Sequence, residues 1–193
     1  MLDHLVYVVP DLDSAIDRFT AAGYPPAPGG RHSDRGTYNA LLRLGPRSYL
    51  ELLAVDPETT VAPPRWMGID LVEGPAITRW AVHAGAVNFP GALYGGSRQL
   101  ADGRTLRWRL SDPGVRPAVD VVPFVIEWNG SDFHPAERLP DHGLRLQTLQ
   151  LEHPRPAAVN TSLERMGLPQ KAIRGAAPKI GAVLRGPQGT LHL

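Results

Sequence analysis

The sequence predicts an α+β fold built from repeated β-α-β-β-β modules, and three observations predict it. Short apolar, β-branched runs recur along the 193 residues, punctuated by Gly and Pro, 20 of each. An amphipathic helical pattern follows the first of these runs. The two ends of the chain then repeat the same signals in the same order.

Leu2 to Val9 reads as a buried strand that Pro10 closes. Asp11 or Asp13 can cap a helix whose Leu12, Ala15, Ile16 and Phe19 recur at helical spacing, and Gly23 stands where a left-handed cap ends it. Thr37 to Leu44 and Ser48 to Val55 read as two strands joined by Gly45-Pro46-Arg47, with a short strand near Arg31 completing the order. This first module spans 1–56.

A constant shift carries Pro10 onto Pro154, Phe19 onto Leu163 and Gly23 onto Gly167. Val159, Leu163 and Met166 restate the helical spacing. A slightly shorter shift then carries Gly45-Pro46 onto Gly186-Pro187, and Leu50-Glu51-Leu52 onto Leu191-His192-Leu193. Residues 143–193 are therefore a second module. The middle section, 57–142, holds strand-like runs at Ile77 to Ala84, Thr105 to Leu110 and Val121 to Trp128, with a short helix expected around Phe89 to Tyr94. It reads as a β-rich, divergent module, and sequence leaves open which two units pair.

Composition removes several functions. The chain has no cysteine, so disulfides and thiolate chemistry are excluded. Lys plus Arg number 20 against 19 Asp plus Glu, which offers nothing to a nucleic acid. No apolar run approaches the roughly 20 residues of a membrane helix, and the first residues lack the features of a signal peptide. The expected compartment is the cytoplasm. No Gly-x-Ser-x-Gly elbow, phosphate loop or His-Glu-x-x-His is present.

Glu51 is the most informative side chain, a lone carboxylate in Tyr49-Leu50-Glu51-Leu52-Leu53-Ala54-Val55. Burying it unpaired costs several kcal/mol or more, so it needs a cation, a donor network or solvent. A strand facing water on one side is the plainer reading. His4 interrupts the first strand in the same way. By the repeat, His192 falls on the position of Glu51, whereas Thr148, a poor ligand, falls on that of His4. His4, Glu51 and His192 with an open position suit Fe, Mn, Zn or Ni. Thr37 and Asn39 share a strand face and can donate to a ligand in a sheet-lined cavity, His32 sits in a basic loop suited to gating or anion binding, and Arg107 can clamp a carboxylate. Surface roles are the plainer reading for His32 and Arg107.

The strand with His4, Gly36-Thr37-Tyr38-Asn39 and Tyr49-Leu50-Glu51-Leu52 resemble the glyoxalase-like domain of the vicinal-oxygen-chelate superfamily. So do Thr78-Arg79-Trp80-Ala81-Val82-His83, Pro123-Phe124-Val125-Ile126-Glu127-Trp128 and His134-Pro135-Ala136. The resemblance implies curved mixed sheets around a cleft and a divalent ion held by first and last strands of modules, here by His4, Glu51 and His192. Thr148 departs from that pattern. It further implies Lewis-acid stabilisation of an enolate or related oxyanion of a small oxygen-rich metabolite, by isomerase, lyase or dioxygenase chemistry, with Glu51 able to serve as a base if it leaves the metal. A metal-free protein that binds or sequesters a small molecule is the alternative, and a homodimer is compatible with either.

Overall fold

The computed structural model describes residues 2–99, 104–128, 131 and 133–193. The first unit forms as its sequence dictates: β1 (Leu2–Val8), α1 (Leu12–Ala21), β2 (Ala27–His32), β3 (Thr37–Gly45) and β4 (Ser48–Val55). Asp11 caps α1 by accepting from the Ser14 N–H at 2.7 Å. Gly23, at φ +83°, turns the chain out of the helix. β1 runs parallel to β4, which pairs antiparallel with β3, and β3 pairs with β2.

The middle section repeats this wiring. β5 (Ala76–His83) runs parallel to β8 (Phe124–Glu127), which pairs antiparallel with β7 (Thr105–Leu110), and β7 pairs with β6 (Tyr94–Gln99). Where the first unit has a helix, this one has a 3-10 turn at Ala84–Ala86. The helix expected around Phe89 to Tyr94 does not form: Pro90 has no N–H for a helical ladder, and Tyr94 instead opens β6.

The C-terminal unit keeps the chain order, with β9 (Arg145–His153), α2 (Pro156–Arg165), β10 (Ala172–Arg174), β11 (Lys179–Gly186) and β12 (Gly189–His192), but not the wiring. β9 lies between β10 and β11, and β12 pairs with β11.

The units join at the centre of one mixed, curled sheet. β1 pairs antiparallel with β5 along most of its length. Beyond β5 the sheet forks: Ala81 to His83 pair with β8, while Ile77 meets Ile180 of β11. β1 is buried on both faces, hence its near-continuous apolar run. Leu5, Tyr7 and Val9 pack with Leu12, Phe19, Val159 and Leu163 from the two helices. Val6 and Val8 face the other way, with Leu53, Trp66, Met67, Ala81, Leu110, Phe124 and Ile126. This second face is the floor of a cleft.

Candidate functional site

The cleft lies between the first and middle units. It is lined by His4, His32, Asn39, Leu41, Tyr49 and Glu51 on one side and by Leu106, Trp108, Leu110, Phe124, Ile126 and Trp128 on the other. Trp66 and Met67 close it above, and its inner space is small, about 30 Å³. His32, Trp66, Trp108 and Leu110 also line an adjoining hollow with Arg35, Tyr94 and Gly96. That hollow meets an open basin of about 990 Å³ bordered by Arg31, Asp34 and Ser97. The first unit thus supplies the cleft's titratable side chains, and the middle unit supplies aliphatic and aromatic walls.

His4 and Glu51 reach the cleft by strand alternation. In the parallel β1–β4 pair, His4 lies beside Tyr49 and Val6 beside Glu51, so His4 and Glu51 share a face one pleat apart. His4 Nε2 is 3.8 Å from Glu51 Oε2, and both residues are buried. The ring of His4 stacks on Tyr49 with centroids 4.7 Å apart and meets the edge of Phe124 at 5.4 Å. Asn39 Nδ2 donates to Glu51 Oε1, which turns the other carboxylate oxygen toward His4.

Behind His4 stands Asp3, fully buried. Strand alternation alone would turn it away from its neighbour. A β-bulge prevents this: Leu2 opposes Val82 and His4 opposes Ala81, so Asp3 is an extra residue in the β1–β5 ladder. Its Oδ1 meets His4 Nδ1 at 2.6 Å. Its Oδ2 accepts from Trp128 Nε1 at 2.9 Å and lies 3.2 Å from His134 Nε2 and 3.1 Å from His83 Nδ1. Burial opposes the charge on Asp3, but hydrogen bonds from His134 and His4 outweigh it. The carboxyl is held well below the usual carboxylate range. Burial, partly offset by Asp3, holds His83 below the ordinary histidine value.

Asp3, His83 and His134 bring ligand atoms within 4.8 Å of one another, a spacing open to a metal ion. The hydrogen bonds assign protons there instead. His134 Nδ1 accepts from the Ala136 N–H at 3.1 Å, so the neutral ring carries its proton on Nε2, facing Asp3. That nitrogen has no lone pair for an ion in this arrangement.

The donors at His4 and Glu51 do fit a divalent ion. With Nδ1 turned to Asp3, Nε2 of His4 faces the cleft and the Glu51 carboxyl stands next to it, a nitrogen and an oxygen of the kind a divalent ion takes.

The expected site residues divide into two groups. His4, Glu51, Asn39 and His32 line one cleft. Thr37 stands just behind, its Oγ1 3.1 Å from His32 Nδ1 and accepting from Trp66 Nε1 at 3.3 Å. His192 is not brought to them. It is exposed on β12, beside Val183, and lines a groove with Arg18, Phe19 and Ala22. The repeat put residue 192 on position 51 as if β12 flanked β9 in the way β4 flanks β1; β11 intervenes, and the partner of the first unit at the cleft is the middle unit. Thr148 likewise lies exposed on β9, so its poor ligand chemistry does not bear on the cleft. Arg107 is exposed, because Leu106, Trp108 and Leu110 take the inward positions of β7. Asp3, His83, Trp66 and Trp108 escaped the sequence reading. One signal for Asp3 was available: a second charged residue beside His4 in an apolar strand.

The family model for the glyoxalase-like domain matches residues 2–167. Among solved structures, a hypothetical protein from Staphylococcus aureus is similar over 99% of this chain and 97% of its own, at 15% identity and a TM-score of 0.66. Methylmalonyl-CoA epimerase from Mycobacterium tuberculosis matches 65% of this chain and 84% of its own, at 23% identity and a TM-score of 0.41. The Streptomyces coelicolor epimerase in complex with 2-nitronate-propionyl-CoA matches 67% and 94%, at 16% identity and a TM-score of 0.43. No curated protein matches the sequence. Among the described residues no helix is long and apolar enough to cross a membrane.

Proposed function

This chain belongs to the glyoxalase-like domain family, and from that premise we propose that it is a divalent-metal-dependent enzyme of the isomerase, lyase or dioxygenase type acting on a small oxygen-rich metabolite. The observation that carries the reading is the pairing of His4 Nε2 with Glu51 Oε2 at 3.8 Å in a buried cleft. These two side chains would hold the ion, of the Fe, Mn, Zn or Ni kind. When bound, such an ion supplies Lewis-acid polarisation of a substrate oxygen.

The chain's own groups do the rest. Asn39 fixes the rotamer of Glu51, whose carboxylate would take a proton from a carbon next to a carbonyl when it leaves the ion. Trp66, Trp108, Trp128 and Phe124 keep water from the inner cleft, which strengthens every charge interaction there. His32 stands at the neck through which a substrate passes from the open basin. The reading extends to a cytoplasmic setting and to a homodimer, the latter checked by light scattering.

The test is calorimetric titration of chelator-stripped protein with Mn²⁺, Zn²⁺ and Ni²⁺, with His4→Ala and Glu51→Gln alongside. Binding of one ion that both substitutions abolish supports the proposal; wild-type protein that takes up no ion at the cleft sinks it. The aromatic wall favours the second reading in that case, a metal-free protein that binds a flat small molecule.

A further inference from the structure

We propose that Asp3 is a positioning residue that dictates which ring nitrogen of His4 carries the proton, and that the middle unit enforces this through Trp128 and His134. The inference deepens the metal reading above, since a ring that presents an N–H to the cleft cannot hold an ion there.

The argument is one of donors and acceptors. Trp128 Nε1 can only donate, and it does so to Asp3 Oδ2 at 2.9 Å. His134 is fixed as a donor by the Ala136 N–H that occupies its Nδ1, and its Nε2 lies 3.2 Å from the same oxygen. One side of the residue-3 carboxylate is therefore committed to accepting. The other oxygen lies 2.6 Å from His4 Nδ1, and an imidazole nitrogen is a stronger base than a carboxylate oxygen, so the shared proton belongs to His4 Nδ1 and this oxygen also accepts. His4 Nε2 is left as an acceptor pointing at the cleft, 3.8 Å from Glu51. In its neutral form a histidine has one donor and one acceptor nitrogen, so fixing the first fixes the second.

The bulge makes this possible. In a regular ladder Asp3 and His4 would point to opposite faces; the extra residue in β1 turns both the same way. Trp128 follows β8, and His134 precedes the 3-10 turn Pro135–Arg138, whose Ala136 packs on Leu41 and Tyr49 of the first unit. The segment that caps Asp3 is thus seated across the first unit's own strands. His4 becomes competent only when the two units are docked.

Asp3→Asn gives a sharp outcome. An asparagine has one acceptor oxygen and one NH₂. Trp128 and His134 claim the oxygen, so the NH₂ must face His4 Nδ1, which then has to be unprotonated. The proton moves to Nε2, and the cleft nitrogen turns from acceptor into donor.

Long-range ¹H–¹⁵N correlation spectra of the ion-free protein at neutral pH read the tautomer directly, with His4→Gln to assign the signals. Wild type is expected in the Nδ1–H form and Asp3→Asn in the Nε2–H form, with a loss of at least about 10-fold in affinity for Mn²⁺ or Zn²⁺. Asp3→Ala, which leaves the ring unpartnered, is expected to give a mixture. An Nε2–H signal for His4 in the wild type overturns the inference without any variant having to fold. So does an Asp3→Asn protein that is folded by circular dichroism and keeps the Nδ1–H form. Because the spectra need no ion, an Nδ1–H wild type that binds no metal would sink the metal reading and leave this one standing.

Discussion

Arg79 lies in β5, 1% exposed, and among the described residues its guanidinium donates to backbone carbonyls and to no carboxylate. Nε reaches Pro113 O at 3.0 Å, Nη2 reaches Pro117 O at 2.7 Å, and Nη1 is shared between Thr78 O at 2.8 Å and Ala118 O at 3.1 Å. The stretch it ties down supports the roof of the cleft. Gly114 O accepts from the Met67 N–H at 2.8 Å, and Met67 takes φ +60°, uncommon for a residue with a side chain. Arg79→Met keeps most of the buried stem and removes all four bonds. Hydrogen bonds from a charged group contribute about 1.5–3 kcal/mol each. Against that, the substitution relieves the several kcal/mol it costs to bury a cation. Pro117 is exposed, so its carbonyl can return to water, whereas Pro113 is buried and cannot. Thr78 O keeps the Asp120 N–H at 3.0 Å. The expected net loss is about 3 kcal/mol, with Arg79→Lys, which keeps the charge and fewer bonds, between wild type and Met. Urea unfolding followed by tryptophan fluorescence measures it. A loss under about 1 kcal/mol for Arg79→Met would refute the view that this arginine holds the roof.

Three further outcomes are expected. Gly68→Ala should unfold the roof and cost more than about 2 kcal/mol in the same assay, because Gly68 sits at φ +72° and an added Cβ would lie 2.2 Å from Ala118 O. Asn39→Ala leaves the buried Glu51 carboxyl without this donor and should weaken Mn²⁺ or Zn²⁺ binding about 10-fold, as read by calorimetry, while costing about 1–3 kcal/mol in the urea assay. Finally, the Asp3 carboxyl is depressed in the folded state, so its contribution is fully present at neutral pH and is lost as pH falls below the unfolded value near about 3.9. Wild type should therefore lose stability more steeply than Asp3→Asn between about pH 4 and pH 2.5, by up to about 1.4 kcal/mol per unit; parallel slopes for the two proteins would contradict that assignment.

Local signals in the chain were enough for the first unit. Pro10, Asp11, Gly23 and the Gly45-Pro46-Arg47 turn mark its boundaries, and β3 and β4 form where their apolar runs stand. Glu51 and His4 were legible because a charged or polar group in a buried strand needs a partner. What was not legible depends on contacts between distant strands. Nothing within residues 76–83 announces that β5 is the neighbour of β1, so the pairing of first and middle units was open, and His192 inherited a ligand role from an alignment that β11 interrupts. Asp3 was hidden by the bulge, since strict alternation assigns it to the opposite face from His4. Arg107 failed for the reverse reason: the alternation of β7 is regular, and Leu106, Trp108 and Leu110 are its inward phase.

The division of the cleft between two stretches of chain has a consequence for how such a protein can diversify. The groups placed for chemistry, His4 and Glu51 with Asn39, come from residues before position 56, whereas the wall facing them comes from residues after position 100, under a roof of Trp66 and Met67. Exchanges among Leu106, Trp108, Leu110, Phe124 and Ile126 can therefore reshape what is accepted while the reactive end stays intact. Trp128 is the exception, because its indole also holds Asp3. A lineage free to vary its selectivity at this wall would be expected to keep a hydrogen-bond donor at that one position.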